Sequence, residues 1–175
     1  MTTRFIVVEG NHCTGKTTLV EELRGILSPQ GWDTRNLVHR PGNQFHRYLL
    51  EYATADRVVF NRSHYAELVY GQFYRGKNPF GKSEVQALDA VVEADGLVIY
   101  CDLPVKDIKM RLERRNSTEV LSTDETTLEE LTANSAAFEE VFKDRNVIRY
   151  RAYTANHLKA VMNKIEKLIL EAESP

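Results

Sequence analysis

The chain has 175 residues, of which 42% are hydrophobic and 27% are charged. This composition is typical of ordinary globular proteins and excludes the disordered and low-complexity classes. The net charge of -2 argues against a general nucleic-acid binder, because such domains carry a broad basic excess. The length leaves room for one domain of usual size, so we expect a single domain over residues 1–175.

Neither a membrane span nor a secretory signal is expected. The apolar runs, such as 96–101, fall far short of the roughly 18 residues that a membrane helix needs. Glu9 interrupts the apolar run near the N-terminus, which argues against a signal peptide. The two cysteines, Cys13 and Cys101, form no metal or redox motif. The sequence therefore predicts a cytoplasmic protein with reduced thiols.

Short β-branched runs alternate with helical patterns, which is typical of βαβ units around a parallel sheet. The strands are predicted at 5–8, 34–39, 57–60, 97–101 and 146–150. A helix over 17–27 follows the first strand and ends before Pro29-Gln30-Gly31. We therefore predict an α/β fold with a five-stranded parallel sheet.

Two further helices are predicted from capping boxes, in which a Ser or Thr precedes a Glu or Gln by three residues. Ser83 with Gln86 begins the first of them, and Thr126 with Glu129 begins the second. Their apolar stripes are Val85, Leu88 and Val92 in the first, and Leu128, Leu131, Phe138 and Phe142 in the second. A C-terminal helix is expected to pack on the sheet through Leu158, Val161, Ile165, Leu168 and Ile169. The polar stretch 116–125 is predicted to be a mobile surface loop.

A phosphate-binding motif lies between the first strand and the first helix. Residues 10–17 fit the P-loop pattern G-x-x-x-x-G-K-S/T in the strand–loop–helix context that the motif requires. In such loops the backbone N–H groups and the helix N-terminus stabilise phosphate charge. Lys16 would reach the β- and γ-phosphates, and Thr17 would offer its hydroxyl to Mg²⁺. The predicted nucleotide-binding residues are Gly10, Asn11, His12, Cys13, Thr14, Gly15, Lys16, Thr17 and Thr18.

The rest of the chain argues against a guanine-nucleotide switch or a motor. No aspartate is followed by Gly three residues later, so the D-x-x-G element of a switch is missing. The N-K-x-E sequence at 163–166 lies within a helical pattern and ends in Glu rather than Asp. The chain is also too short for the appended domains of most motor ATPases. A small phosphotransferase that uses ATP and Mg²⁺ is the natural interpretation.

Four motifs in chain order resemble those of the thymidylate kinase-like P-loop kinases and of deoxynucleoside kinases. They are E-G-N before G-K-T at 9–17, H-R-P-G at 39–42, N-R-S at 61–63 and D-L-P at 102–104. The resemblance implies the three-layer P-loop NTP hydrolase fold, with sheet order 2-3-1-4-5 and helices on both faces. It also implies a lid near 111–125 that carries arginines, and a two-fold homodimer.

This chain departs from the thymidylate kinase pattern at three places. His12 replaces an acidic residue, Asn61 replaces an aspartate, and the stretch 41–61 is much shorter. The compact form is similar to kinases encoded by bacteriophages. Because the shortened stretch builds the acceptor pocket in the family, the resemblance does not carry over the identity of the acceptor.

Arg40 discriminates between acceptors. A nucleoside hydroxyl needs a general base, which nucleoside kinases supply as Glu immediately before the proline of this motif. Arg40 cannot accept a proton, but it can bind a phosphate as a bidentate fork. The substitution favours a nucleotide acceptor, and the alternative is a surface arginine at a strand end.

Further acceptor contacts are predicted at the carboxyl edge of the sheet, where open α/β folds bind ligands. Arg62 directly follows a strand, so we assign it to the acceptor phosphate and to catalysis, against a structural ion pair. His12, His64 and Tyr70 would face the acceptor sugar or base, against plain packing roles.

Arg111, Arg114 and Arg115 match the lid arginines of these kinases, and their spacing places them on one helix face. Such a cluster favours a visiting anion, and the alternative is a solvated basic face. Arg114 would bind the nucleotide, while Lys16, Arg62, Arg111 and Arg115 are the predicted catalytic residues. Thr17 is the predicted direct Mg²⁺ ligand, with Asp102 and Glu9 as the candidate carboxylates.

Together these features predict phosphoryl transfer from ATP to a deoxynucleoside monophosphate. A deoxynucleoside kinase is the first alternative, with His39 or Asp102 as its base. A kinase for a hydroxyl on a modified base in DNA is the second, and only it would involve nucleic acid. A regulator without catalysis ranks last.

Overall fold

The computed structural model describes residues 3–118, 127–151 and 155–173. The strands are β1 (Phe5–Gly10), β2 (Asp33–Asn36), β3 (Val58–Asn61), β4 (Gly96–Cys101) and β5 (Ile148–Tyr150). The helices are α1 (Lys16–Leu27), α2 (Gln44–Ala53), α3 (His64–Arg75), α4 (Lys82–Asp95), α5 (Val105–Thr118), α6 (Leu128–Phe142) and α7 (Ala155–Glu173).

The five strands form one sheet in the order β2-β3-β1-β4-β5, and every neighbouring pair is parallel. The predicted strand number, direction and order are therefore confirmed. The register places Val8 of β1 opposite Asn61 of β3 and Gly10 opposite Cys101 of β4. The carboxyl ends of β1, β3 and β4 thus meet at one edge, where a ligand site of an open α/β sheet is expected.

Helices cover both faces of the sheet, as predicted. Phe5 and Val7 of β1 belong to a core formed with α2, α3, α4 and α6, whereas Ile6 and Val8 pack against α1 and α7. This split follows from the two-residue period of a strand. Because all six residues of β1 are buried, both faces of the strand are covered, as is usual for the centre of a parallel sheet.

Two helices were not expected from the apolar pattern. The inward face of α2 carries Tyr48 and Tyr52 instead of aliphatic residues, and both side chains are fully buried. Helix α3 follows β3 almost directly, and its N-cap Ser63 accepts a hydrogen bond from the backbone N–H of Tyr65. The second strand is shorter than predicted, because the chain leaves the sheet after Asn36.

Both capping boxes were predicted in the wrong register. Helix α4 begins after Gly81, whose N–H donates to the Glu84 carboxylate at 2.8 Å. Helix α6 begins after Thr127, which exchanges hydrogen bonds with Glu130 at 2.7 and 3.1 Å. In each case a glutamate at another position, Glu84 or Glu130, is the partner instead of the predicted residue. Leu128, which belongs to the predicted apolar stripe, is 47% exposed.

Helix α5 continues to Thr118, so the beginning of the predicted loop 116–125 is helical. The remainder of that predicted loop, 119–125, lies outside the described residues. The C-terminal helix packs on the sheet through Val161 and Ile165, as predicted, while the side chains of Leu168 and Ile169 are outside the description. Across the described ranges, no helix combines the length and apolar character of a membrane span.

Candidate functional site

The predicted phosphate-binding loop connects β1 to α1 and depends on unusual backbone angles. Gly10 has φ +144°, and a Cβ there would lie 2.6 Å from the Cys101 carbonyl oxygen. Gly15 caps α1 in the left-handed region, with φ 95°. These two positions need glycine because a side chain at the first would clash and one at the second would be strained. Within the loop, the Thr14 hydroxyl donates to the Asn11 carbonyl at 2.9 Å.

Lys16 is buried at the start of α1, with 8% of its surface exposed. Its Nζ donates to the carbonyl oxygens of Gly10 at 2.8 Å and Asn11 at 2.6 Å. Burial, with a further contribution from the positive charge of Arg62, lowers the pKa of Lys16 to about 8. A buried ammonium favours an anionic partner, so this lysine is suited to bind a phosphate.

A cavity of about 470 Å³ lies over the loop and is called the phosphate cavity below. It is lined by Cys13, Thr14, Gly15, Lys16, Thr17, Thr18, Arg111 and Arg115. The fold therefore brings two of the predicted lid arginines to the loop. They lie four residues apart and share one face of α5. Arg114 is exposed and is not among the lining residues.

Asn11 differs from the other loop residues because its side chain is turned towards α6. Its Nδ2 donates to the Leu131 carbonyl at 2.9 Å and to the Ser135 hydroxyl at 2.8 Å. Its Oδ1 accepts the backbone N–H of His12 at 2.7 Å. The side chain therefore holds the loop against α6, and only its backbone is placed for the nucleotide contact predicted from the sequence.

Glu9 is a fully buried carboxylate beside the N-terminus of α3. Its Oε1 accepts the Ser63 hydroxyl at 2.6 Å and the Ala66 N–H at 3.2 Å. Its Oε2 has no hydrogen-bond partner among the described residues. Burial raises the pKa of Glu9, although Ser63, Lys16 and Arg62 oppose this shift. One carboxylate oxygen is thus left for a proton, a cation or a water molecule.

The residues at this edge fit a Mg²⁺ ion held mainly by the substrate. Thr17 lines the phosphate cavity, whereas Glu9, whose unpartnered Oε2 is a hard oxygen, is fully buried and is not among the lining residues. Asp102 is less suitable than predicted, because its Oδ2 is bound by Arg149 at 3.3 Å and Arg151 at 2.7 Å. The described residues contain no group of three His, Cys, Asp or Glu side chains that could hold a metal.

A second cavity of about 210 Å³ lies beside the loop and is called the acceptor pocket below. Its lining consists of His12, Leu37, His39, Arg62, Ala66, Glu67, Tyr70, Tyr74 and Arg75. The fold therefore unites three predicted acceptor residues. The Arg62 guanidinium lies 5.6 Å from the centre of the Tyr70 ring, and the His12 ring lies 5.3 Å from it. Arg62 has φ 73°, a costly conformation for a residue with a side chain.

Six pocket residues were not predicted as acceptor contacts, among them Glu67 and the two side chains that contact it, His39 and Arg75. Glu67 is 5% exposed, and its Oε2 lies 3.0 Å from His39 Nδ1 and also accepts a hydrogen bond from Arg75. Glu67 and Arg75 are both on α3, which the apolar pattern had not indicated. The signal that was available is their separation of eight residues, which returns to the same helix face.

Two predicted acceptor residues lie elsewhere. His64 is fully buried in the core, where its ring contacts Tyr52 and Asp89 and does not line the pocket. Arg40 is exposed and does not line the pocket, and its backbone carbonyl accepts the Gln44 amide. The strand-end motifs thus indicated the edge of the sheet at which this pocket lies, but not the direction of these two side chains.

No protein-family model and no curated protein sequence matches the chain. Among solved structures, YorR from Bacillus subtilis, in complex with phosphorylated GDP, superimposes with a TM-score of 0.77. It is 19% identical to this chain, and the match covers 98% of this chain and 99% of YorR.

A deoxyadenosine kinase from M. mycoides is also similar. With dCMP and dCDP bound, it gives a TM-score of 0.59 at 16% identity, covering 94% of this chain and 99% of the kinase. With dCTP bound, it gives 0.57 at 16% identity, covering 93% and 99%. This chain has a P-loop kinase fold. The resemblance to deoxynucleoside kinases is therefore confirmed for the fold, while the thymidylate kinase likeness, the homodimer and the cytoplasmic location stay predictions.

Proposed function

We propose that the protein is an ATP- and Mg²⁺-dependent phosphotransferase whose acceptor is a deoxynucleoside monophosphate. The observation that carries the proposal is that two cavities lie on the two sides of the predicted phosphate-binding loop. Cys13 lines the phosphate cavity and the preceding residue, His12, lines the acceptor pocket. One loop therefore separates the two cavities, as an enzyme that transfers a group between two bound nucleotides requires. The nucleotides bound to YorR and to the deoxyadenosine kinase support the same class of ligand.

Lys16 and the backbone amides of the loop would bind the donor phosphates. Mg²⁺, held by Thr17 and by Glu9 directly or through water, would neutralise part of their charge. Arg111 and Arg115 line the opposite wall of the phosphate cavity. They are suited to the charge that spreads over the transferred group, because guanidinium groups bind phosphate oxygens in a fixed fork. Arg114, on the exposed side of α5, would contact the nucleotide only from outside this cavity.

Arg62 would hold the acceptor phosphate and direct it towards the donor. A monophosphate is already anionic near neutral pH, so it can attack without a general base. Lys16 and Glu9 are buried, and a transferred group held close to them would be shielded from water that could otherwise hydrolyse ATP. Arg40 follows His39 of the pocket and is exposed, so it would contact the acceptor from the solvent side. Tyr70 and His12 would pack against the sugar or base.

A deoxynucleoside kinase is the second candidate, and Glu9 favours it. A hydroxyl acceptor needs a base, and Glu9 has an unpartnered oxygen and a raised pKa. Glu67 is less suited because His39 and Arg75 both contact its Oε2. Asp102 is paired with two arginines, which removes one of the bases considered from the sequence. This candidate differs from the first only in the acceptor.

The test is phosphate transfer from labelled ATP with Mg²⁺ to each dNMP and each deoxynucleoside in separate reactions. Duplex DNA with ordinary or hydroxymethylated bases is a further arm. Transfer to a monophosphate supports the first candidate and identifies the base. Transfer to nucleosides alone supports the second, and transfer to DNA alone contradicts both. No transfer to any acceptor would contradict kinase activity.

Arg62→Gln separates the candidates within this assay, whereas Glu9→Gln lowers kcat for either acceptor because Glu9 is proposed to hold Mg²⁺. For a monophosphate acceptor, Arg62→Gln raises the acceptor KM, because the guanidinium that binds its phosphate is lost. A nucleoside acceptor has no phosphate for Arg62 to bind, so its KM stays near that of wild type. The acceptor KM of Arg62→Gln therefore assigns the acceptor independently of product analysis.

A further inference from the structure

A chain of buried polar groups begins at Tyr52 and passes through His64, the first residue of α3. The Tyr52 hydroxyl lies 2.8 Å from His64 Nδ1 and accepts the backbone N–H of His64 at 3.3 Å. On the other side of the ring, Nε2 lies 3.2 Å from Asp89 Oδ1. Tyr52 and His64 are both fully buried, so these contacts are shielded from water.

The positions of the protons in this chain follow from donor and acceptor counting. The Asp89 carboxylate can only accept, so Nε2 carries the imidazole proton and donates it to Asp89. In the neutral ring Nδ1 is then an acceptor, and the Tyr52 hydroxyl donates its proton to it. Arg145 holds the same carboxylate with two hydrogen bonds, of 2.7 Å and 3.3 Å. From Tyr52 to Asp89, each group therefore donates its proton to the next one, so every donor meets an acceptor.

The chain connects several elements at the place where α3 begins. Tyr52 is on α2, Asp89 is on α4, and Arg145 lies between α6 and β5. The two residues that precede His64 belong to the site: Arg62 lines the acceptor pocket, and Ser63 donates to Glu9. The first turn of α3 also donates the Ala66 N–H to Glu9. Fixing His64 therefore fixes the groups that orient Glu9 and Arg62.

We propose that Tyr52 and His64 are positioning residues that hold the N-terminus of α3, and through it Arg62 and Glu9, in the geometry required for phosphoryl transfer to the acceptor. This inference rests on the proposed function, because the groups being positioned are those of the proposed kinase. Neither residue touches the substrate. Their effect is expected on the acceptor KM through Arg62 and on kcat through Glu9, whereas the KM for ATP depends mainly on Lys16 and Thr17, which are held by β1 and α1.

If Tyr52 contributed only to stability, its variant would affect the acceptor kinetics no more than a variant of another buried tyrosine. Tyr48 provides the comparison, because it is also fully buried, lies one turn before Tyr52 on α2, and has its ring 6.1 Å from the Tyr52 ring. Its hydroxyl has no hydrogen-bond partner among the described residues. Removing the hydroxyl from either tyrosine changes a similar buried volume, but only Tyr52 loses contacts to His64.

The experiment compares Tyr52→Phe with Tyr48→Phe in the transfer assay, with ATP and the accepted nucleotide varied separately. For Tyr52→Phe, kcat/KM for the acceptor is expected to fall about tenfold or more, while KM for ATP changes by less than about twofold. Tyr48→Phe is expected to keep both values within about twofold of wild type. Equal acceptor kinetics in the two folded variants would overturn the inference.

A second pair tests His64 directly and covers the case in which Tyr52→Phe does not fold. The amide nitrogen of His64→Gln can still donate to Asp89, whereas His64→Leu makes neither contact. The acceptor kcat/KM of the Gln variant is expected to be at least about threefold higher than that of the Leu variant. If Gln and Leu lose it equally while both remain folded, positioning through Asp89 is wrong.

Calorimetric binding of the dNMP to the same proteins separates this inference from the proposed function. If wild type transfers no phosphate but binds a dNMP, the kinase proposal fails, and weaker binding by Tyr52→Phe than by Tyr48→Phe still supports positioning of Arg62. If those two affinities are equal, positioning fails as well. Absence of both binding and transfer in wild type overturns both proposals.

Discussion

At the scale of single residues, two features of Lys16 disfavour its charged form, and a bound anion would offset both. It is buried, and its positive charge lies near that of Arg62. The two loop carbonyls that accept its hydrogen bonds satisfy it in part, but they carry no full charge. The charged lysine is thus expected to strengthen phosphate binding without raising the free energy of unfolding.

Replacing Lys16 by Met separates these two effects. The rate of phosphate transfer should fall by about a hundredfold or more, because the variant lacks the ammonium group that would donate hydrogen bonds to the transferred phosphoryl group. The free energy of unfolding should stay the same or rise, since a buried ammonium is removed. Steady-state kinetics and urea unfolding on the same preparation check both parts. Turnover near that of wild type would mean that the donor site is assigned wrongly.

Two arginines with left-handed backbone angles form a second matched pair. Arg62 has φ 73° and Arg57 has φ 54°, but only Arg62 lines the acceptor pocket. Arg57 is exposed, and its guanidinium donates to the Gln30 carbonyl at 2.7 Å. Their backbone strain is similar, while their surroundings differ.

Glycine at either arginine relieves the strain but adds freedom to the unfolded chain, so each variant should change the free energy of unfolding by less than about 1 kcal/mol. Arg62→Gly should raise the acceptor KM by about tenfold or more, because a charged hydrogen bond to the phosphate is lost. Arg57→Gly should leave it unchanged. Equal acceptor KM values for both variants would exclude Arg62 from the acceptor site.

The same scale explains why one predicted histidine was misplaced. A strand-end position indicates the edge of the sheet, but the helix period decides which side chains turn towards the pocket. In α3, Glu67, Tyr70 and Tyr74 follow one another at three or four residues and share the face that lines the pocket. His64 precedes Glu67 by three residues, so the same period would predict it on this face, but its ring lies between Tyr52 of α2 and Asp89 of α4. Its direction therefore depends on tertiary contacts that the sequence does not show.

At the scale of elements, a site formed by one continuous sequence motif was predictable, whereas a pocket assembled from separate segments was not. The phosphate-binding loop is one continuous motif between a strand and a helix, so sequence alone located it. Helix α2 buries tyrosines, which do not form an aliphatic stripe, and α3 carries buried polar residues such as Glu67. The acceptor pocket is built from three separate segments around 12, 39 and 62–75, whose proximity depends on the sheet register.

Two glycines inside or beside regular elements should respond in opposite ways to alanine. Gly25 is within α1, and a Cβ added there would meet no heavy atom within 4 Å, whereas a Cβ at Gly96 would lie 2.5 Å from the Phe5 ring. Gly25→Ala should raise the free energy of unfolding by about 0.5–1 kcal/mol. Gly96→Ala should lower it by about 1–3 kcal/mol, because Phe5 is completely buried and must shift.

Denaturant unfolding of both variants checks this pair, with activity as the companion measurement. Gly25→Ala should keep wild-type kinetics, since the position faces away from both cavities on the exposed side of α1. A loss of stability in Gly25→Ala, or none in Gly96→Ala, would contradict the packing described at these positions.

At the scale of the whole molecule, the buried chain from Tyr52 to Arg145 makes stability depend on pH. Burial lowers the pKa of His64, although the hydrogen bond to Asp89 opposes this. Burial would raise the pKa of Asp89, but hydrogen bonds from His64 and Arg145 outweigh it and lower the pKa to about 2. In both cases the unfolded chain takes up its proton at a higher pH than the folded chain does.

The stability contributed by these groups is therefore lost on acidification. The His64 contribution is present above its ordinary pKa of 6.5 and declines below it, with a limiting slope of about 1.4 kcal/mol per pH unit. The Asp89 contribution declines as pH falls from 3.8 towards about 2. Urea unfolding between pH 7 and pH 5 should show a shallower slope for His64→Gln than for wild type. Parallel slopes would show that His64 is not held neutral.

The Asn11 side chain links the beginning of the chain to its last third. Its two amide hydrogens are donated to residues 120 and 124 positions later. Loop closure over such a distance is entropically costly and belongs to late steps of folding. A growing or truncated chain that ends before α6 would carry the complete phosphate-binding motif without the contacts that shape it. Nucleotide binding would therefore report completed folding of this protein, rather than the presence of its N-terminal motif.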